Sequence, residues 1–257
     1  MRAAAAPLAA ALFAAPLAVL LAAAPARAQE QEKLPHPGWS FDGPFGTFDR
    51  AAAQRGFQVY LEVCANCHSL KEAYYRNLDG IGLSEAQIKA IAASVSVPTI
   101  GDDGQPAERP ALPSDHFRSP YPNEKAARAA LNGALPPDLS VIVKAREGGP
   151  DYVYGVLTGY ADPPAGMKMG DGMNYNKAFP GHQIAMPQPL HDDQVTYADG
   201  TKATIDQEAH DVVTFLTYIA NPEMETRKRT GVKIMIFLAL LTGVTYAVKR
   251  KVWSDVH

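Results

Sequence analysis

The sequence predicts a mostly α-helical protein with long loops and one membrane-spanning helix near its C-terminal end. Three observations predict it. Capped segments recur along the chain, and their apolar residues return every three or four positions, the spacing of a helix face. Strand alternation is confined to one possible hairpin, Gln194–Thr204, around Asp199-Gly200. A charge-free run, Ile234–Val248, is flanked by basic clusters. With 47% hydrophobic and 20% charged residues, the chain has an ordinary globular composition, which argues against disorder.

Arg2 precedes an Ala/Leu-rich run, Ala3–Ala24, and Pro25-Ala26-Arg27-Ala28-Gln29 offers an A-x-A cleavage signal. Residues 1–28 therefore read as a signal peptide cut after Ala28, which implies export. A retained anchor is the alternative; the short apolar run and the A-x-A disfavour it. Residues 29–47 are rich in Pro, Gly and aromatics without a period, an extended arm laid on the surface. Asp49 caps a helix whose apolar positions Ala53, Phe57, Tyr60, Leu61 and Cys64 share a face.

That helix ends at Cys64-Ala65-Asn66-Cys67-His68, which carries both cysteines of the chain. The C-x-x-C-H spacing is that of a c-type haem attachment site. Two thiols bond the two vinyl groups, and the next residue brings an imidazole to the iron. A thioredoxin-like disulfide would follow a strand, and none is indicated here. A zinc site needs about four ligands, and no second pair completes one. A Cys64–Cys67 disulfide would close too small a loop to stabilise much. One covalent haem c is the expected cofactor.

Ser84-Glu85-Ala86-Gln87 is a capping box before Ile88, Ile91, Ala92 and Val95, and Pro98 stops that helix. Gly101–Ser119 reads as a polar, proline-rich loop. Asn123 caps a short helix through Leu131. Asp138 caps another, Leu139–Glu147, and Asp151 begins a third that runs to Gly159. Asp162–Pro189 is a long irregular segment, a kind that is usually functional or disordered. Thr204-Ile205-Asp206-Gln207 is a second capping box; Ile205, Ala209, Val212, Val213, Leu216 and Ile219 form one apolar face, and Asn221-Pro222 ends the helix.

The domain reading follows: 29–224 an exported haem domain, 225–230 a basic stem, 231–249 the transmembrane helix, 250–257 a cytoplasmic tail. Lys233 must snorkel toward the headgroups, and Tyr246 and Trp253 suit an interface. A buried core helix is the alternative; basic clusters at both ends disfavour it. Positive charge flanks both sides, so the signal peptide sets the orientation. Between Gln29 and Met224 there are 15 Lys/Arg against 25 Asp/Glu, a net of −10, whereas Glu225 onward carries +5. Such a field attracts a basic macromolecule and repels nucleic acid, although simple solubility would also explain it.

The second axial ligand decides what the iron can do. An open position allows gas or peroxide chemistry; a Met closes the site and raises the potential, which suits electron transfer. Beyond the motif the candidates are Met167, Met169, Met173, Met186 and Met224, with His116, His182, His191 and His210. Met186 lies in Ile184-Ala185-Met186-Pro187-Gln188-Pro189-Leu190, where prolines remove backbone freedom. Met is more often a gap-filler than a ligand, so these features leave both roles standing for it. Leu135, Pro136 and Pro137 suit an apolar haem edge. Arg146 suits a propionate bidentately and Tyr152 a second hydrogen bond, although an ordinary surface role is the plainer reading of both.

At these residues the chain resembles the cytochrome c1 family, the haem subunits of cytochrome bc1 complexes. The likeness spans nearly the whole mature chain. It rests on Arg55-Gly56-Phe57-Gln58-Val59-Tyr60 before the haem motif, on Asn132-Gly133-Ala134-Leu135-Pro136-Pro137-Asp138-Leu139-Ser140, on Asp151-Tyr152-Val153-Tyr154 and Leu157-Thr158-Gly159-Tyr160, on Ile184-Ala185-Met186-Pro187, and on the basic stem before an anchor. The resemblance implies a c-type cytochrome-like haem domain. It implies Cys64 and Cys67 as thioether sites, His68 and Met186 as axial ligands, and Arg146 and Tyr152 near the propionates. It also implies cytochrome b, a Rieske iron–sulfur protein and a small soluble basic cytochrome c as partners. The expected place is a bacterial inner membrane, single-pass, with the haem domain on the periplasmic side. Some bacterial members carry an insertion and an extra cysteine pair before the ligand Met; this chain has neither. The rival readings are a tethered single-haem carrier of another complex, a peroxidase (which usually has a second haem motif), and a haem gas sensor.

Overall fold

Why the helix Arg50–Glu62 packs so closely on the helix Ile205–Ala220 is written in Arg55-Gly56. The computed structural model describes residues 33–256, so the signal-peptide segment lies outside the described residues. In chain order the elements are α1 (Arg50–Glu62), a 3-10 turn (Cys64–Asn66), a 3-10 helix (Tyr75–Ile81), α2 (Glu85–Ala93), β1 (Ser96–Ile100), β2 (Pro106–Pro110), α3 (Glu124–Ala130), α4 (Gly149–Thr158), β3 (Asn174–Tyr175), a further 3-10 turn (Pro180–His182), β4 (Gln183–Ile184), α5 (Ile205–Ala220) and α6 (Met224–Val252). A Cβ at residue 56 would stand 1.9 Å from the Asp211 carbonyl oxygen, so only glycine permits the observed approach of α1 to α5. Beside it the Arg55 guanidinium grips the fully buried Asp211 with Nε at 2.8 Å and Nη2 at 3.0 Å. Phe57, Tyr60, Phe117 and Phe215 fill the space around this crossing as tilted and edge-on aromatic pairs.

Asp49 caps α1 through the Ala52 amide, Asn123 caps α3 through the Ala126 amide, and Ser84 with Gln87 forms the full capping box at α2. Thr204 caps α5 through the Gln207 amide, but the Gln207 side chain donates to Asp211 instead of returning to the cap.

Other expectations are corrected. The arm from residue 34 is not merely laid on the surface: Trp39, Phe41 and Phe48 are buried in the core, and the Trp39 indole donates to Asp151 at 2.6 Å. Its lack of period hid anchoring by single aromatics. The presumed stop at Pro98 lies inside β1, opposite Glu108 on antiparallel β2. A two-stranded ribbon is all edge, so its prolines cost few ladder bonds. The helix expected at Leu139–Glu147 is absent; the segment is a run of turns, with Asp138 Oδ1 accepting from the Ser140 amide and Oδ2 tied to Ser69. At Gln194–Thr204 there is a Tyr197–Gly200 turn and no paired strands. Helix α4 starts two residues early, with Pro150 in its first turn.

Helix α6 spans 29 residues and is, among the described residues, the helix long and apolar enough to cross a membrane, its apolar stretch wholly exposed. Its first turns are clasped by the arm. Glu225 accepts from the Phe48 amide at 2.8 Å and pairs with Arg50 at 2.9 Å; Lys228 Nζ donates to the Phe41 and Gly46 carbonyls at 2.6 and 3.2 Å. The basic stem is thus continuous with the apolar helix and fixed to the domain.

Candidate haem-attachment site

Helix α1 stops at Glu62, and Asn66 marks the stop by donating its side-chain amide to the Glu62 and Val63 carbonyls. The chain then tightens into the 3-10 turn. The Cys67 and His68 amides both donate to the Cys64 carbonyl, at 3.1 and 2.8 Å, which gathers the three residues of the motif into one turn. The Tyr60 hydroxyl donates to the His68 carbonyl at 3.3 Å. The two cysteines are not joined to each other. Burial pushes the free Cys64 thiol up to about 12, with Cys67 and Glu208 adding repulsion against a thiolate.

His68 Nδ1 lies 2.8 Å from the Pro137 carbonyl oxygen. A carbonyl only accepts, so Nδ1 carries the hydrogen and Nε2 keeps its lone pair. That is the tautomer a metal-binding imidazole needs. Burial also lowers the His68 pKa, against a smaller rise from that hydrogen bond, which favours the neutral ring.

Pro137 is held by its neighbour. Asp138 accepts from the Ser69 hydroxyl at 2.7 Å, the Lys71 amide at 2.8 Å and the Ser140 amide at 2.9 Å. The Leu139 amide donates to the Ser69 carbonyl at 2.9 Å. This bracket pins the chain after His68 to the chain after Pro137. Burial opposes the Asp138 charge, but these hydrogen bonds prevail and lower its pKa. The bracket was missed in the sequence, although Asp138-Leu139-Ser140 carries the signal of an Asx turn.

Cys67, Ser69, Leu135, Pro136, Phe117 and Arg118 line a cavity of about 660 Å³ beside the motif. Its size suits a cofactor. The donor set fits a c-type haem: two thiols and an imidazole presented by one turn, the imidazole in the metal-binding tautomer.

Met186 is carried by a separate segment. It is half-buried, and its carbonyl accepts from the Tyr160 hydroxyl at 3.0 Å and the Asn174 amide at 3.3 Å. Two tethers thus stiffen a position that the sequence marked only by its prolines. Arg146 and Tyr152 are neighbours: burial raises the Tyr152 pKa and the Arg146 guanidinium opposes the rise. Arg146 is exposed and donates to the Ala145 carbonyl. Of the other Met and His candidates, Met224 is buried in the core, His210 stacks on Trp39 at 5.0 Å, and His116 lies tilted against Tyr74 at 3.9 Å.

A sequence model of the cytochrome C1 family matches residues 39–256. The chain belongs to the cytochrome c1 family. It is 46% identical over 235 residues to cytochrome c1 of Rhodospirillum rubrum, covering 85% of this chain and 86% of that protein. It is 50% identical over 220 residues to the mitochondrial cytochrome c1 haem protein of Saccharomyces cerevisiae, covering 85% of this chain and 71% of that protein. Against a Bradyrhizobium diazoefficiens protein named cytochrome b/c1 it is 48% identical over 278 residues, covering 99% of this chain but 40% of the relative. The chain thus spans less than half the length of that relative. The cytochrome c1 family carries one covalently bound c-type haem, in keeping with the donor set at Cys64, Cys67 and His68.

Proposed function

We propose that this chain is the membrane-anchored electron-transfer subunit of a cytochrome bc1 complex, taking electrons from a Rieske iron–sulfur protein and passing them to a soluble basic c-type cytochrome. The haem supplies the chemistry, a one-electron exchange between ferric and ferrous iron. Cys64 and Cys67 would hold it covalently, and His68 Nε2 would be a donor to its iron. Met186 would supply a second donor, which would close the site to exogenous ligands and raise the potential. Arg146 and Tyr152 would pair the propionates, and Pro137, whose carbonyl orients His68, would flank the haem.

One observation carries this reading: the Pro137 carbonyl fixes the His68 tautomer directly beside the two cysteines. The acidic domain favours a basic partner. The apolar α6 favours a bilayer anchor beside cytochrome b. With residues 1–28 read as a signal peptide, the haem domain lies on the periplasmic side of a bacterial inner membrane and residues 250–257 in the cytoplasm. The chain catalyses no bond-making reaction of its own; quinol oxidation belongs to the assembled complex.

The test is purification of the tagged chain from detergent-solubilised membranes. A b-type haem signal should co-elute with the c-type signal, and added quinol should reduce the c-type haem. A chain that elutes alone and stays oxidised with quinol contradicts the proposal.

A further inference from the structure

Asn176 directly follows β3 and has no exposed surface, although the chain around it is mostly loop. All of its polar atoms are engaged. The side-chain amide donates to the Val156 carbonyl at 2.7 Å, and the side-chain oxygen accepts from the Ala178 and Phe179 amides at 3.0 and 3.1 Å. Its backbone amide donates to the His182 carbonyl at 3.1 Å, and its own carbonyl lies 3.2 Å from His182 Nδ1. A buried network satisfied this fully specifies one conformation.

What the network holds is the strand pair that leads to Met186. Val156 lies in the last turn of α4, where a helix leaves its final carbonyls without partners, and Asn176 supplies one from a distant stretch. Just past the helix end, the Gly159 carbonyl accepts from the Lys177 amide at 2.9 Å. Glycines face the docked segment: a Cβ at residue 159 would crowd Asn176 Oδ1 at 3.1 Å, and one at residue 155 the Ala178 Cβ at 3.1 Å. In the β3–β4 pair, Asn174 stands opposite Ile184 and Tyr175 opposite Gln183. Asn174 also donates to the Met186 carbonyl, as does Tyr160, which forms a single bridge with Asn176. Met186 is thus tied through Asn176 to α4, and α4 packs on α5 of the core.

We infer that Asn176 is a positioning residue for Met186: by docking the β3–β4 segment on α4 it sets how firmly the thioether closes the axial position. The inference rests on Met186 being the axial donor, as proposed above. An exogenous ligand binds only in the fraction of molecules from which the thioether has withdrawn. Truncating Asn176 strips the Val156 carbonyl and the Ala178 and Phe179 amides of their partners. These groups regain partners from water once the segment lifts, so the cost falls on the closed state and the open fraction grows.

The test titrates the ferric full-length membrane protein with imidazole and follows the visible spectrum. Asn176→Ala should keep its covalent haem and bind imidazole about tenfold more tightly than wild type, equivalent to about 1.4 kcal/mol. Ile88→Ala, a truncation of the core on α2, controls for a general loss of stability and should bind as wild type does. An unchanged affinity in Asn176→Ala, or an equal rise in Ile88→Ala, overturns the inference and leaves the proposed function standing. Met186→Leu separates the two readings: if it binds imidazole no more tightly than wild type, Met186 is not the donor and both fall. Should Asn176→Ala fail to assemble, Asn176→Asp decides. Its carboxyl donates and accepts when protonated but only accepts when ionised, so at higher pH the Val156 carbonyl loses its partner. The thioether-to-iron charge-transfer band of ferric Asn176→Asp should persist in acid and weaken at a pH where the wild-type band is intact. A band that holds at wild-type strength throughout overturns the inference.

Discussion

Asp138 joins two stretches that lie 69 positions apart, and the His68 hydrogen bond depends on that joint. Asp138→Ala leaves the Ser69 hydroxyl and the Lys71 and Ser140 amides without their acceptor. The expected loss is about 1–3 kcal/mol in denaturant unfolding, with a changed haem potential as Pro137 loosens. An unchanged potential would mean that Pro137 is placed by other contacts. Met186→Leu should keep the covalent haem and lower the potential sharply in a redox titration; an unchanged potential would remove Met186 from the ligand set. Glu208 gives a pH prediction of its own. Its folded pKa is raised from 4.5 to about 7. Its favourable contribution is therefore complete below the unfolded value and lost as pH rises through the folded one. Glu208→Gln should gain stability over wild type on going from pH 4.5 to pH 8, by at most about 3 kcal/mol. Unfolding curves at the two pH values check this.

Among the elements, the pairing of α1 with α5 organises the domain. Gly56→Ala would push a methyl into the Asp211 carbonyl, and Arg55→Met would strand a buried carboxylate. The second should cost about 3–5 kcal/mol in unfolding experiments, the penalty of an uncompensated buried charge. These elements also mark what was legible. Periodicity and caps disclosed α1, α2, α3 and α5, because Asp49, Ser84, Asn123 and Thr204 each do locally what their residue type does in general. Asp138 looked like another cap, but its carboxylate is spent on Ser69 and Lys71, a long-range pairing invisible in local sequence. The β1–β2 ribbon was hidden by its prolines, and Trp39 and Phe41 by the lack of any period around them. The Cys64–His68 turn was legible because its residues are contiguous. The Pro137 carbonyl that orients His68 was not, because a backbone acceptor leaves no mark on residue identity.

In the whole molecule, an acidic domain sits on a basic, apolar helix that the arm clasps at Glu225 and Lys228. Reaction with a basic soluble cytochrome should slow steeply as ionic strength rises, since exposed charges are screened beyond about 8–10 Å at physiological salt. A stopped-flow rate independent of salt would remove acidic steering from the account. All of these roles assume an iron held from both sides. The most direct test is a titration of the reduced full-length protein with carbon monoxide, followed in the visible spectrum. With His68 and Met186 both bound, the spectrum should not change; ready formation of a carbon monoxide adduct would contradict the account.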